Sequence, residues 1–247
     1  MCDDRDYSQT AKGYHEAAVA AGVAAITTAG IYPGVSNLMA AQLVRMNCDE
    51  ATTPSALRYS YYTAGSGGAG PTILATSFLL LGEEALAYKD GEEVSLRPYS
   101  SCRHVDFGKG IGRKAVYILN LPEVGSAHSV LGLPTVSARF GTDPPFWNWA
   151  MQAMAALVPQ HILKDRTKVG AIVALSDPLV RQVDKWAGEK VAMRVDLECS
   201  DGRRATSIYS HPSLSTSVGQ CTAAFALAML EGSTQPGIWF PEQVNNQ

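Results

Sequence analysis

Residues 23–37 read Val-Ala-Ala-Ile-Thr-Thr-Ala-Gly-Ile-Tyr-Pro-Gly-Val-Ser-Asn, and this segment sets the class of fold. Its first part, Val23 to Thr28, is a short apolar run with β-branched residues, which predicts a strand buried on both faces of a parallel sheet. The alanine-rich residues 7–21, which end at Gly22, predict a helix before that strand. Pro33 is suited to the first turn of a following helix. A helix followed by such a strand is half of a βαβ unit.

The turn after this strand is a candidate binding site. In an open α/β sheet, ligands bind beyond the carboxyl ends of the parallel strands. Gly30, Pro33, Gly34 and Asn37 occupy that position and are the candidate cofactor-binding residues. A simple strand-to-helix turn explains the same glycines and proline, so both interpretations stay open.

After residue 50 the pattern changes to alternating segments joined by tight turns. Tyrosines alternate with polar residues over 57–63, and Asp90-Gly91 and Asp201-Gly202 are two-residue hairpin signals. In the second hairpin the odd-numbered residues from Val191 to Cys199 are apolar, which predicts one buried face. Further strands are predicted over 115–119 and 135–140, and helices over 71–81, 145–158, 178–186 and 214–230.

The order of elements predicts a fold of the α/β plus α+β class. We expect a remnant of a Rossmann-like parallel sheet, followed by a mixed, largely antiparallel sheet domain with helices packed on it. The first domain would cover residues 1–50 and be completed by residues 212–247, and the second would cover residues 51–211. In the helix over 145–158, an apolar stripe at helical spacing predicts the buried face. The stripe consists of Phe146, Trp149, Ala150, Ala153, Met154 and Leu157.

Residues 65–70 read Gly-Ser-Gly-Gly-Ala-Gly and match the pattern G-x-G-x-x-G. A dinucleotide site is one interpretation, although the preceding segment alternates where a first Rossmann strand would be continuously apolar. A second is an anion-binding corner at the start of the helix that Pro71 opens, with Ser66, Gly67 and Gly68 as substrate-binding residues. A third is a glycine turn that lets strand and helix pack closely.

A second polar group follows the first hairpin. Arg103 and Tyr99 are candidate substrate-binding residues, because arginine pairs with carboxylates through two hydrogen bonds. His104, Asp106 and Lys109 are weak candidates for an acid or a base. The alternative is a solvated loop with one structural arginine.

Composition excludes several classes of protein. With 46% hydrophobic and 17% charged residues and a formal charge of -3, the chain is globular and lacks a nucleic-acid footprint. Its apolar runs are too short for a membrane span. Five scattered cysteines without a C-x-x-C pair argue against disulfides and a metal site. We expect a soluble protein of a reducing compartment, cytoplasm or organelle stroma, in which no targeting segment is visible.

The chain resembles the saccharopine-dehydrogenase-like oxidoreductases. The resemblance rests on Cys2 to Tyr7, on the turn with Gly30, Pro33, Gly34 and Asn37, and on Tyr62 to Glu83. It implies a Rossmann domain that carries NAD or NADP, and a second domain that covers an amino-acid-derived substrate reacting at an imine or secondary amine. The resemblance leaves open whether the protein forms a homodimer.

The resemblance also implies that the family's first strand and phosphate-binding turn are missing from this sequence. We therefore expect the C-terminal two-thirds of such an enzyme, inactive by itself. The alternative is a non-catalytic binding or assembly module that keeps only the substrate and dimerisation domain.

Overall fold

The computed structural model describes residues 5–67 and 70–244. The helices within these ranges are α1 (Arg5–Lys12), α2 (His15–Ala20), α3 (Val35–Asn47), α4 (Gly70–Leu80), α5 (Glu123–Leu131), α6 (Pro145–Leu157), α7 (Gln160–Leu163), α8 (Arg166–Ala187), α9 (Leu214–Leu230) and α10 (Pro241–Val244). The strands are β1 (Ala24–Ile26), β2 (Pro54–Ala64), β3 (Ala85–Lys89), β4 (Glu92–Leu96), β5 (Arg103–Asp106), β6 (Arg113–Ile118), β7 (Thr135–Asp143), β8 (Lys190–Cys199), β9 (Arg204–His211) and β10 (Gly237–Trp239).

A small parallel sheet joins the two ends of the described chain. β1 pairs with β10 so that Ala24, Ala25 and Ile26 lie opposite residues 237–239. The far edge of β10 is covered by α1 and α2, because Lys12 donates to the carbonyl of Ile238 and the His15 imidazole contacts the same residue. β1 has no second partner strand in the described part of the chain.

The large sheet is mixed. Its strand order is β4-β3-β7-β2-β8-β9, with β6 paired to β7 and β5 paired to β6. β2 and β7 are parallel neighbours, whereas β8 is antiparallel to β2. The sequence-based prediction of the fold class is confirmed: a small parallel sheet is combined with a larger mixed sheet on which helices pack.

The two faces of the large sheet differ. On the covered face, α3, α5 and α6 pack on the strands, and the core includes Tyr59, Tyr61 and Val195. On the opposite side, which we call the open face, a small apolar cluster around Tyr62 and Phe107 occupies only part of the surface. Charged side chains, among them Arg58, Arg139 and Asp196, lie on the same side of the sheet.

The two predicted domains share one hydrophobic core. Ala40 and Leu43 of α3 belong to the same buried cluster as the strands β2 and β8. The division at residue 50 stays a prediction. Helix α9 contacts both predicted domains, since Ser217 hydrogen-bonds Tyr209 of β9 and Thr222 donates to the carbonyl of Ala29.

One predicted burial pattern is wrong. Most of the stripe predicted to be buried on α6 lies on the surface, where Trp149 is 65% and Leu157 is 80% exposed, although Met154 packs against the core. The helix buries Asn148 and Met151 instead. A helix that is apolar on more than one side does not specify its own rotation.

Several element boundaries also differ from the prediction. The helix expected over 7–21 is two helices, α1 and α2, and α8 continues through Pro178 instead of beginning there. β5 is a strand where the sequence predicted none. In the described ranges, no helix combines the length and apolar character needed to cross a membrane.

Candidate functional site

A cavity of about 120 Å³ lies on the covered face at the carboxyl ends of β2 and β7. These parallel strands end side by side, with Ala64 opposite Asp143. The walls are mainly aromatic and aliphatic. The lining residues include Tyr32, Pro33, Gly65, Ser66, Tyr99 and Met151. The structure therefore brings three of the predicted segments together: the turn after β1, the glycine loop after β2, and Tyr99.

The turn after β1 closes on itself. The Gly30 N–H donates to the Pro33 carbonyl at 2.9 Å, and the Val35 N–H donates to the Gly30 carbonyl at 3.0 Å. Gly34 has a φ of 136°, and a Cβ there would collide with Gly30. The two glycines therefore allow the turn to fold tightly and to present Tyr32 and Pro33 to the cavity.

The Asn37 side chain links this turn to α5 through hydrogen bonds. Its side-chain oxygen accepts the Gly34 N–H at 2.9 Å, and its amide nitrogen donates to the Ser126 hydroxyl at 3.0 Å. Beside it, the Glu123 carboxylate accepts from Ser36 and Tyr61. Burial raises the pKa of Glu123 to about 7, while the hydrogen bond from Tyr61 lowers it. Asn37 thus belongs to a buried network, and its predicted role in cofactor binding stays untested.

In the glycine loop after β2, the Ser66 hydrogen-bond donors are occupied by a carboxylate of the protein itself. Asp184 of α8 accepts from the Ser66 N–H at 2.8 Å and from the Ser66 hydroxyl at 2.5 Å. Gly67 lies against α9, where a Cβ would be 2.7 Å from the Leu214 Cβ. The loop has the donors that the anion-binding interpretation requires, and a side-chain carboxylate occupies them. Gly68 and Ala69 lie outside the described residues.

Tyr99 is held in place by the same helix that closes the cavity. Its hydroxyl donates to the Asn148 side-chain oxygen at 3.0 Å, and its ring stacks on Tyr117 at 5.0 Å. Asn148 also accepts from the Thr142 N–H and donates to the Thr142 carbonyl. Burial raises the pKa of Tyr99 far above its usual range, so this hydroxyl stays protonated and serves as a donor.

The remaining predicted site residues lie elsewhere. Arg103, His104 and Asp106 are on β5 and, like Lys109, do not line this cavity. Asp106 accepts the Gly108 N–H, which is a local turn contact. Arg103 is exposed on the open face, near Arg58 and Arg139. Their predicted roles are untested, and the structure does not bring them to the cavity.

Sequence reasoning missed Asp184 and Asn148. Asp184 is 118 residues from Ser66 in the sequence, so no local sequence pattern could predict their contact. Asn148 carried a signal, because an amide inside an apolar helical segment needs buried partners. Reading that residue as the inward-facing one would have given the correct rotation of α6.

Comparisons with known proteins support the fold alone. No protein-family model matches the chain, and no curated protein is matched by sequence. Among solved structures, the apo form of histidine-tagged saccharopine dehydrogenase (L-Glu forming) from Saccharomyces cerevisiae is similar, with a TM-score of 0.61 and 13% sequence identity. The similarity covers 95% of this chain and 72% of that chain. The chain thus has a distant fold relationship to a dehydrogenase.

Proposed function

We propose that this chain forms the substrate-binding part of an NAD(P)-dependent oxidoreductase that acts at an imine or secondary-amine centre of an amino-acid derivative. The position of the cavity carries the proposal. It lies beyond the carboxyl ends of two adjacent parallel strands, the position at which open α/β sheets bind their ligands, and the turn at Tyr32 and Pro33 meets Ser66 there. The fold similarity to saccharopine dehydrogenase agrees with this class of reaction.

The lining of the cavity narrows the class of substrate. Leu74, Phe140 and Met151 offer apolar contacts, and the nearest anion-binding donors, on Ser66, are occupied by Asp184. A cavity of about 120 Å³ holds roughly four water-sized groups. We infer that it takes a small apolar substituent of the substrate, while the charged groups stay outside it.

The groups at the two glycine turns do not fit a dinucleotide pyrophosphate. The Gly30 and Gly34 N–H groups already donate within the turn, and the Asp184 carboxylate at Ser66 would repel a phosphate. NAD or NADP therefore stays a proposed cofactor whose phosphates would be held by groups other than these two turns.

Calorimetry of the purified chain tests the proposal. We expect N-alkyl amino acids with short apolar substituents to bind more tightly than dicarboxylic ones, and NADPH to bind weakly or not at all. Ser77→Phe, which fills the cavity from α4, should abolish binding of the amino acid. Ser215→Phe, an exposed position of α9, is the matched control and should leave binding unchanged. Binding that survives Ser77→Phe in a folded variant would refute the proposal.

A second candidate is a non-catalytic assembly module. It is favoured by the edge of β1 opposite β10, with which no strand pairs in the described ranges, because a free strand edge is a template for pairing with another chain. Sequencing the transcript upstream of Met1 separates the candidates. A reading frame encoding a strand and G-x-G-x-x-G supports the oxidoreductase, and an authentic start supports the module.

A further inference from the structure

Three arginines converge on the open face of the large sheet. Arg58 of β2 lies opposite Ser137, and Ser60 lies opposite Arg139 of β7, so the two arginines are diagonal neighbours on the same face. Arg103 of β5 lies opposite Val116 of β6, which belongs to the apolar cluster on that face. The fold therefore brings together cations from three separate strands.

Arg139 is the most buried of the three, at 6% exposure. Its Nε donates to the Ser101 carbonyl at 3.3 Å, and its Nη1 donates to the Ser137 hydroxyl at 2.9 Å. Both acceptors are neutral, and Nη2 has no acceptor among the described residues. Burial, followed by the charges of Arg103 and Arg58, lowers the pKa of Arg139 to about 10. This guanidinium is held in place without a counter-ion.

Carboxylates on this face do not balance the charge. Glu198 is shared between Arg58 and Arg204, each at 3.2 Å, and Asp196 is paired with Arg194. Across residues 5–67 and 70–244, neither Arg103 nor Arg139 forms a salt bridge. Glu198 and Asp196 are thus taken up by Arg58, Arg204 and Arg194, which leaves Arg103 and Arg139 without a carboxylate partner in the described part of the chain.

We propose that Arg58, Arg103 and Arg139 form a binding site for a phosphate dianion, free or carried as a monoester. A dianion with tetrahedral oxygens can accept from several guanidinium groups at once, whereas a single carboxylate would leave most of the charge unbalanced. Arg139 supplies the fixed donor, and exposed Arg103 supplies a donor that closes over the ligand. The site lies across the sheet from the cavity and does not depend on the proposed oxidoreductase function.

Titration with inorganic phosphate, and separately with phosphoserine, tests the site against chloride at equal ionic strength. We expect calorimetric binding of phosphate and a rise in Tm that chloride does not produce. Tighter binding of phosphoserine than of inorganic phosphate would indicate that the natural ligand is a phosphate monoester. The reverse order would indicate that it is the free phosphate ion. Either order supports the site. Tighter binding of glutarate than of both, or no difference from chloride, would overturn it.

Variants locate the binding. Arg103→Gln should weaken phosphate affinity at least tenfold, and Arg139→Lys, which keeps the charge but loses the planar donor geometry, should weaken it also. Arg181→Gln, an exposed arginine of α8, should have no effect. In phosphate-free buffer, Arg103→Gln should leave Tm unchanged or raise it, because one of three repelling charges is gone. Phosphate affinity unchanged in Arg103→Gln would contradict the proposal, since that variant changes an exposed side chain and should fold.

Discussion

The covered and open faces of the large sheet are built from the same strands and differ in what closes them. Val195 and Asp196 are neighbours on β8, yet Val195 lies in the main core and Asp196 accepts from Arg194 and Thr206 on the open face. The covered face meets three helices and encloses an apolar cavity. The open face has only a small apolar cluster and carries unbalanced arginines. Strand alternation sorts residues between the faces, and helix packing decides which face is closed.

The largest expected effect on stability comes from exchanging the character of the two neighbours Val195 and Asp196. Val195→Asp places an ionised group in the core, which costs several kcal/mol, so we expect the variant to be unfolded at room temperature. Asp196→Val, one residue away, should change the free energy of unfolding by about 1 kcal/mol or less. Urea denaturation followed by circular dichroism measures both. Similar losses in the two variants would mean that the open face is covered in solution.

A second pair of variants tests which side of α6 closes the cavity. Met151→Ala should destabilise the protein by about 2–5 kcal/mol, because it leaves a cavity behind a buried side chain. Trp149→Ala should change stability by only about 0.5 kcal/mol, because its side chain is largely exposed. Thermal unfolding of both variants decides the rotation of the helix. The reverse order would restore the apolar stripe that the sequence predicted.

The two faces should also respond to pH with opposite sign. Burial raises the pKa of Glu123 from 4.5 to about 7, so the stability that its protonated form contributes is present below about pH 4.5 and lost as the pH rises through about 7. The loss is roughly 3 kcal/mol. On the open face, Arg204 and Arg58 lower the pKa of Glu198, and its contribution is lost as the pH falls.

Urea denaturation at several pH values between about 4.5 and 8 checks the pH prediction. Glu123→Gln should remove much of the loss at neutral pH, because the amide cannot ionise and can still accept from Tyr61. Burial raises the pKa of Glu242 as well, so part of the dependence should persist in this variant. If the free energies of unfolding of wild type and Glu123→Gln differ by the same amount at every pH, the pH dependence does not come from Glu123.

The smallest expected effect concerns the Asp184 carboxylate that accepts hydrogen bonds from Ser66. Asp184→Asn keeps an acceptor for Ser66 but removes the charge, and we expect a loss of about 1 kcal/mol. Because the proposed phosphate site is on the open face, its affinity for phosphate should not change in this variant. A large gain in phosphate affinity would show that the Ser66 corner competes for the ligand once Asp184 is neutral.

The sequence predicted elements whose signals are local. The hairpins at Asp90-Gly91 and Asp201-Gly202, the alternation along β8, and the limits of α9 are confirmed. Each rests on residues a few positions apart, so turn chemistry and side-chain period are sufficient. The glycine turns at residues 30–34 and 65–67 were also recognised as special positions, and both border the cavity.

By itself, the sequence determined the class of fold, the hairpins and longer helices, and the residues that share a strand face. Only the tertiary structure decided that Asp184 fills the Ser66 corner and that Arg103 joins Arg58 and Arg139. It also rotated α6, because Asn148 finds its partners in Tyr99 and Thr142 only when that side faces inward. The physical reason is common to all three: a polar or charged group is stabilised by partners that are distant in sequence, and their positions exist only once the sheet has formed.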